Sequence, residues 1–242
     1  GAEHLDTATA LLGLACTYRA MGDFDNAIPL CVRALDIHEK LLGPYHPLTA
    51  TNLSELAGLF QWKGDLKGAK AQFERVLEID EKVFGPLHPS TACALDSLAS
   101  LLAEMGDLKG AKPLFERALA IHERTLGARH PDVAMGLCNL GRLLLRTGDA
   151  KGARALFERA LAIQEETSGP ESQGTAFAMS DLAWGLARAG DTHGAKACQE
   201  RAVAILEKVL GPDHPSVGAQ LFNLGHWCEQ SGDPAAAKPL QF

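Results

Sequence analysis

One interval, 42 residues, recurs along the chain and restricts it to a repeat architecture. His46-Pro47, His88-Pro89 and His130-Pro131 stand 42 residues apart, His214-Pro215 lies two periods further on, and His4 one period before. Counted from that histidine as offset 0, the units begin near residues 4, 46, 88, 130, 172 and 214. Offset 10 is then leucine in all six: Leu14, Leu56, Leu98, Leu140, Leu182 and Leu224. Offsets 18 and 19 are Gly-Asp and offset 23 is alanine in all six, while offset 33 is isoleucine and offset 39 glycine in the five complete units. A fixed period of this size belongs to arrays whose neighbouring units complete one another's core.

Each unit reads as two helices. Proline at offset 1 suits the first helical turn, where its missing N–H is not needed. Apolar residues at offsets 7, 10, 11 and 14 follow a helical rather than a strand spacing. Glycine at offset 18 can take the left-handed conformation that closes helix A. The following aspartate can cap helix B by accepting from an exposed backbone N–H. Helix B carries its own apolar series, whole in KPLFERALAI, and stops at Gly-Pro in Gly43-Pro44, Gly85-Pro86 and Gly211-Pro212. The spacing predicts A helices near offsets 1–17 and B helices near 20–38, twelve in all, the last cut short. The offset-23 alanines, such as Ala69, Ala111 and Ala153, are predicted to be buried where the two helices meet.

The series Leu/Met, Leu, Ala/Gly, large apolar, then Gly-Asp, Ala, Phe and Ala, resembles the tetratricopeptide signature. The long unit with its Gly-Pro-x-His-Pro connector is similar to the repeats of kinesin light chains and of many bacterial signalling proteins. The resemblance implies an all-α fold, an α-α superhelix: a TPR solenoid of about six helix-turn-helix repeats. It would form a single domain over residues 1–242, with the last repeat truncated. Unit 5 departs from the pattern. It opens with Ser172-Gln173-Gly174 in place of His-Pro and has Cys198-Gln199 where units 3 and 4 have Leu-Phe, which predicts a looser start and a differently packed helix B.

Composition narrows the function. A net charge of −7 argues against nucleic acid, whose phosphates call for clustered excess Lys and Arg. No apolar run is long enough for a membrane helix, and no charged-then-apolar leader opens the chain. The six cysteines show no CxxC pair or regular spacing, which reads as reduced, mostly buried thiols of a cytoplasmic protein. No cofactor is expected. Gly64-Asp65-Leu66-Lys67-Gly68-Ala69-Lys70 is an inter-helix turn, not a phosphate loop. His38-Glu39 and His122-Glu123 lack a second histidine three residues on; sharing one offset late in helix B, they read as surface residues. Successive helices pack about 8–10 Å apart, too far for connector histidines to share a metal bonded at about 2 Å. These histidines read as helix-start packing. The sequon Asn52-Leu53-Ser54 falls inside a helix A and reads as accidental.

At 100° per residue, offsets 5, 9, 12 and 16 face away from the repeated apolar stripe, and there the units differ freely. Unit 2 has Glu55 and Trp62; unit 4 has Met135, Asn139, Arg142 and Arg146; unit 5 has Phe177, Asp181, Trp184 and Arg188; unit 6 has Asn223 and His226. The resemblance implies that this face lines a concave groove holding an extended peptide or partner helix. Asn139 and Asn223 resemble the family asparagine that clamps a ligand's backbone, since an amide offers both donor and acceptor. Arg142, Arg146 and Arg188 beside Phe177 and Trp184 make the composition of an interface hot spot, suited to an acidic peptide with an apolar anchor.

A non-catalytic protein–protein interaction module is the reading these features favour. A sensor or regulatory segment of a larger signalling ATPase of STAND type remains beside it; an enzyme has no support among the residues. The chain begins and ends in register, Gly1-Ala2-Glu3-His4 matching the connector and Phe242 falling within a sixth helix B. It therefore reads as a piece of a longer array, with uncovered ends that predict weak end-to-end self-association.

Overall fold

A computed structural model describes residues 3–232. Among them are eleven helices and no strand: α1 Leu5–Ala20, α2 Phe24–Leu42, α3 Pro47–Trp62, α4 Leu66–Val83, α5 Pro89–Glu104, α6 Leu108–Leu126, α7 Pro131–Thr147, α8 Ala150–Ser168, α9 Gln173–Arg188, α10 Thr192–Leu210 and α11 Pro215–Gln230. Odd-numbered helices are the A helices and even-numbered ones the B helices of the all-α helix-pair array that the spacing predicts. The expected twelfth helix lies outside the described residues. Two compact units divide the chain, residues 1–121 and 122–242.

The repeated residues act where the sequence places them. The connector histidine precedes each of α1, α3, α5, α7 and α11, its Nδ1 accepting from the backbone N–H two residues on at 3.1–3.3 Å. It does the work usually given to Ser, Thr, Asp or Asn. Gly148 closes α7 in the left-handed region at φ 90°, its N–H reaching the carbonyls of Leu144 and Leu145. Asp65 then caps α4 by accepting from Gly68 N–H at 2.9 Å, and Asp149 caps α8 through Gly152 at the same distance.

Packing follows the two stripes. Ala27, Ala69, Ala111, Ala153 and Ala195 are all fully buried. The offset-10 leucines are buried too, except Leu14, which is 46% exposed. The difference is its neighbour: no helix pair precedes α1 among the described residues, and units of an array cover one another. Within residues 1–121 the core gathers Cys31, Leu35, Leu53, Leu56, Leu59, Val76 and Ile79. Within residues 122–232 it gathers Ala176, Met179, Ala202, Ile205, Leu206 and Val217. Successive B helices are also tied by an arginine reaching back to a glutamate of the preceding one: Arg75–Glu39, Arg117–Glu81 at 2.7 Å, Arg159–Glu123 at 2.7 Å and Arg201–Glu165 at 3.4 Å. Exposed pairs contribute about 0–1 kcal/mol each, so the ladder fixes register more than it stabilises.

Two sequence expectations change. His38 and His122 are buried rather than on the surface, because their offset turns toward the next A helix, where the side chain is covered. The Asn52 sequon is accidental as expected, since Asn52 is fully buried in α3. Unit 5 does not start loosely: Ser172 Oγ accepts from Thr175 N–H at 3.2 Å and α9 begins on schedule at Gln173. Its helix B is repacked as expected. Gln199 takes the phenylalanine position, fully buried, and its Nε2 donates to Gln220 Oε1 at 2.8 Å.

Candidate functional site

The variable face of the A helices is largely open to solvent. Ten of the twelve candidate residues belong to α7, α9 and α11, within residues 122–232. Glu55 and Trp62 belong to α3 in the other unit, where Glu55 lies 3.4 Å from Arg19 and Trp62 is 71% exposed.

Arg142, Arg146, Asp181, Trp184 and Arg188 line one depression of about 450 Å³, together with Leu145 and Phe157. Arg142 is not available as a free cation. Its Nε donates to Asp181 Oδ1 at 2.8 Å and its Nη2 to Asp181 Oδ2 at 2.7 Å. Burial works against the Arg142 charge, yet these two bonds hold its pKa above the ordinary range. Asp181 is itself buried, so the pair is a fixed wall of the site. Below it the Cys138 thiol is pushed up, by burial first and then by the Asp181 charge. Arg146 and Arg188 are different: both are exposed, and neither side chain has an ion pair or hydrogen bond with a described residue. Each stands in the last turn of its helix, where a cation suits the helix dipole. The corresponding position of α5 is Glu104, so the fold does not reserve that place for arginine.

The floor is apolar because of two glycines. Phe157 of α8 is 0% exposed, and a Cβ at Gly141 would stand 2.5 Å from its ring, one at Gly185 3.0 Å. Gly185 occupies the position held by Leu59, Leu101, Leu143 and Trp227 in other units. Without that side chain, α9 packs closely on α8, where a Cβ at Gly185 would also stand 3.3 Å from Arg154 Cα. The Trp184 ring meets Trp227 edge-on at 4.6 Å and stacks on His226 at 5.9 Å, which fixes it as one wall.

Phe177 does not share this depression with Trp184. It lines a smaller one of about 210 Å³ with Met135, Cys138 and Gln164, and Arg142 and Asp181 also border it. Phe177 and Trp184, expected together in one hot spot, thus line two depressions that share one ion pair. The clamp-like asparagines are both engaged internally. Asn139 Oδ1 accepts from Arg142 Nη1, and Asn223 Nδ2 donates to Gln220 Oε1, both at 3.3 Å. Leu145 and Phe157 escaped the sequence reading. The signal that could have found them is the pair of glycines facing the helix-B phenylalanine.

Consecutive helix pairs with a shared core and a variable face on each A helix define a helical-repeat protein. The tetratricopeptide repeat family profile matches at residues 6–82, 52–124, 90–166, 132–208 and 186–241. The chain belongs to the tetratricopeptide repeat family. Among solved structures it is similar to the nearly identical TPR-like repeats assigned to a kinesin light chain of Podosopora anserina. The identity is 27%, the TM-score 0.75, and the match covers 86% of this chain and 98% of that one. BtubC (BKLC) from P. vanneervenii shares the fold at 22% identity and TM-score 0.76, over 90% of this chain and 87% of that one. A Rap protein in complex with Competence and Sporulation Factor shares it at 16% identity and TM-score 0.66, over 95% and 71%. No curated protein matches the chain.

Proposed function

We propose that the chain is a non-catalytic, cytoplasmic protein-interaction module that holds an acidic peptide segment with one bulky apolar side chain. The A-helix face of residues 122–232 receives it. The carrying observation is that Arg146 and Arg188 lack internal partners while bordering an apolar floor built from Leu145, Phe157 and Trp184. Two cations without partners beside an apolar depression ask for a ligand that brings carboxylates and an apolar anchor. Arg142, neutralised by Asp181, serves as a wall and not as a charge donor. In this reading the remaining amide groups of Asn139 and Asn223 steady the segment's backbone, and Met135 and Phe177 offer a second apolar seat. The Rap complex supports the reading by fold, being a structure of the same kind solved with a bound factor.

The test is a panel of labelled peptides carrying one central Trp, Phe or Leu flanked by Asp and Glu, scored by fluorescence anisotropy. Binding is expected in the micromolar range and should weaken with added salt, since exposed charges are screened over about 8 Å at physiological ionic strength. Arg146→Glu with Arg188→Glu should abolish it. If that double substitution leaves binding intact while Glu55 or Trp62 substitutions remove it, the site lies on α3 and the reading fails.

A further inference from the structure

Within residues 1–121 a second depression, of about 320 Å³, opens over α4 with α3 and α5 as its walls. Asp80 of α4 lines it. Asp80 is only 7% exposed, and no described residue forms a hydrogen bond or ion pair with its carboxylate. A buried carboxylate without a partner is costly. Burial pushes the Asp80 carboxyl above the ordinary carboxylate range, with the charge of His88 acting in the other direction. The fold does not require an acid here. The same offset holds His38, His122, Gln164 and Leu206 in the other units.

The hydroxyls around Asp80 sharpen the chemistry. Thr51 Oγ1 donates to the Pro47 carbonyl at 3.2 Å, Ser54 Oγ to Ala50 at 3.1 Å and Ser97 Oγ to Cys93 at 2.9 Å. With their protons committed to the backbone, these oxygens meet the depression as acceptors. Phe73 and Phe84 complete the lining. The depression therefore offers a carboxylate, three hydroxyl acceptors and aromatic surface, with no cationic side chain on its wall. An anion would meet the Asp80 carboxylate and no cationic side chain, with the Ser90 hydroxyl as its one side-chain O–H donor not already bonded to the backbone. An ammonium group brings three donors, no acceptor and a positive charge that suits both carboxylate and ring faces.

We infer that this depression is a binding site for an alkylammonium group, carried by a lysine side chain or by a small primary amine. The surroundings favour the methylene stem as well as the head, because Phe73, Val76 and Phe84 flank Asp80. The site is separate from the depression bordered by Arg146 and Arg188, and its success or failure leaves the acidic-peptide reading untouched.

The experiment uses the full chain and follows backbone amide resonances by NMR while n-butylammonium is added, with 1-butanol as the neutral counterpart. Saturable shifts at Thr51, Asp80 and Ser97 with the amine, absent with the alcohol, are expected. Asp80→Asn should weaken butylammonium by about tenfold or more. It should not lower the melting temperature, since it removes an unpartnered buried charge. A short peptide with one central lysine, against its glutamine counterpart, separates the two sources. Binding much tighter than butylammonium assigns a lysine side chain, and equal binding assigns a small amine. Equal response to amine and alcohol, an Asp80→Asn titration like the wild type, or no saturable shift with either amine source overturns the inference.

Discussion

Gly141→Ala tests the packing that makes the arginine-bordered depression. The added Cβ would stand 2.5 Å from Phe157 Cε1 and 2.8 Å from its Cζ. Carbon atoms settle at about 3.5–4.0 Å, so ring or helix must retreat by about 1 Å. Phe157 is fully buried and has no solvent side into which to swing. Overpacking of this kind costs about 1–3 kcal/mol. Exchanging glycine for alanine inside a helix returns about 0.8–1.0 kcal/mol. The net effect is a loss of about 0–2 kcal/mol. Gly58→Ala in α3 isolates the second contribution, because a Cβ there meets nothing within 4 Å. It should stabilise by up to about 1 kcal/mol. Urea unfolding of both variants, of Phe157→Leu and of the Gly141→Ala/Phe157→Leu pair gives a double-mutant cycle. The smaller side chain should relieve the clash, with a coupling energy of about 0.5–3 kcal/mol. If Gly141→Ala stabilises as much as Gly58→Ala, and the cycle shows no coupling, Phe157 is not packed against α7 as described.

Arg142→Ala should destabilise the fold by about 1–3 kcal/mol, because it leaves the buried Asp181 carboxylate without its two bonds; a melting temperature unchanged from wild type would show the pair to be dispensable. Ala111→Leu should cost about 1–3 kcal/mol by overpacking a fully buried contact, and an unchanged unfolding midpoint would contradict the helix register. His38 gives a pH dependence with a definite sign. Burial first, then the charge of His46, lowers its pKa from 6.5, so the unfolded chain takes up the proton before the folded one does. Its contribution to stability is complete above that value and is lost as pH falls through the window toward the lowered folded value. Urea midpoints measured down that window should fall less steeply for His38→Gln than for wild type; identical slopes would refute the assignment.

Helix order, boundaries and caps were legible in the sequence because the 42-residue period repeats each local signal four to six times. Proline, Gly-Asp and alanine each have one physical role in the units that carry them, and every copy supports the others. The histidine cap was only half legible: spacing placed it at the helix start, but its Nδ1 bond depends on ring orientation. The variable face was also readable, since whatever the core does not fix must point elsewhere. Which of its charges remain available was not. Arg142 and Asp181 are 39 residues apart, and only the packing of α7 against α9 brings them into a bidentate pair. Phe177 and Trp184 share a stripe by spacing, yet the same pair stands between them. Burial of His38 and His122 escaped notice because a helix wheel shows one neighbour, whereas an array supplies a second. The unpartnered Asp80 could not be seen for the same reason.

The proposed binding face is tested most directly by exchanging charge on both sides of it. Two labelled peptides with the same central tryptophan, one flanked by glutamates and one by lysines, are titrated against wild-type protein and the Arg146→Glu/Arg188→Glu variant. Neither substitution touches the Arg142–Asp181 pair, so both proteins should unfold at closely similar temperatures. Wild type is expected to bind only the acidic peptide and the variant only the basic one. Both proteins binding both peptides alike would contradict it.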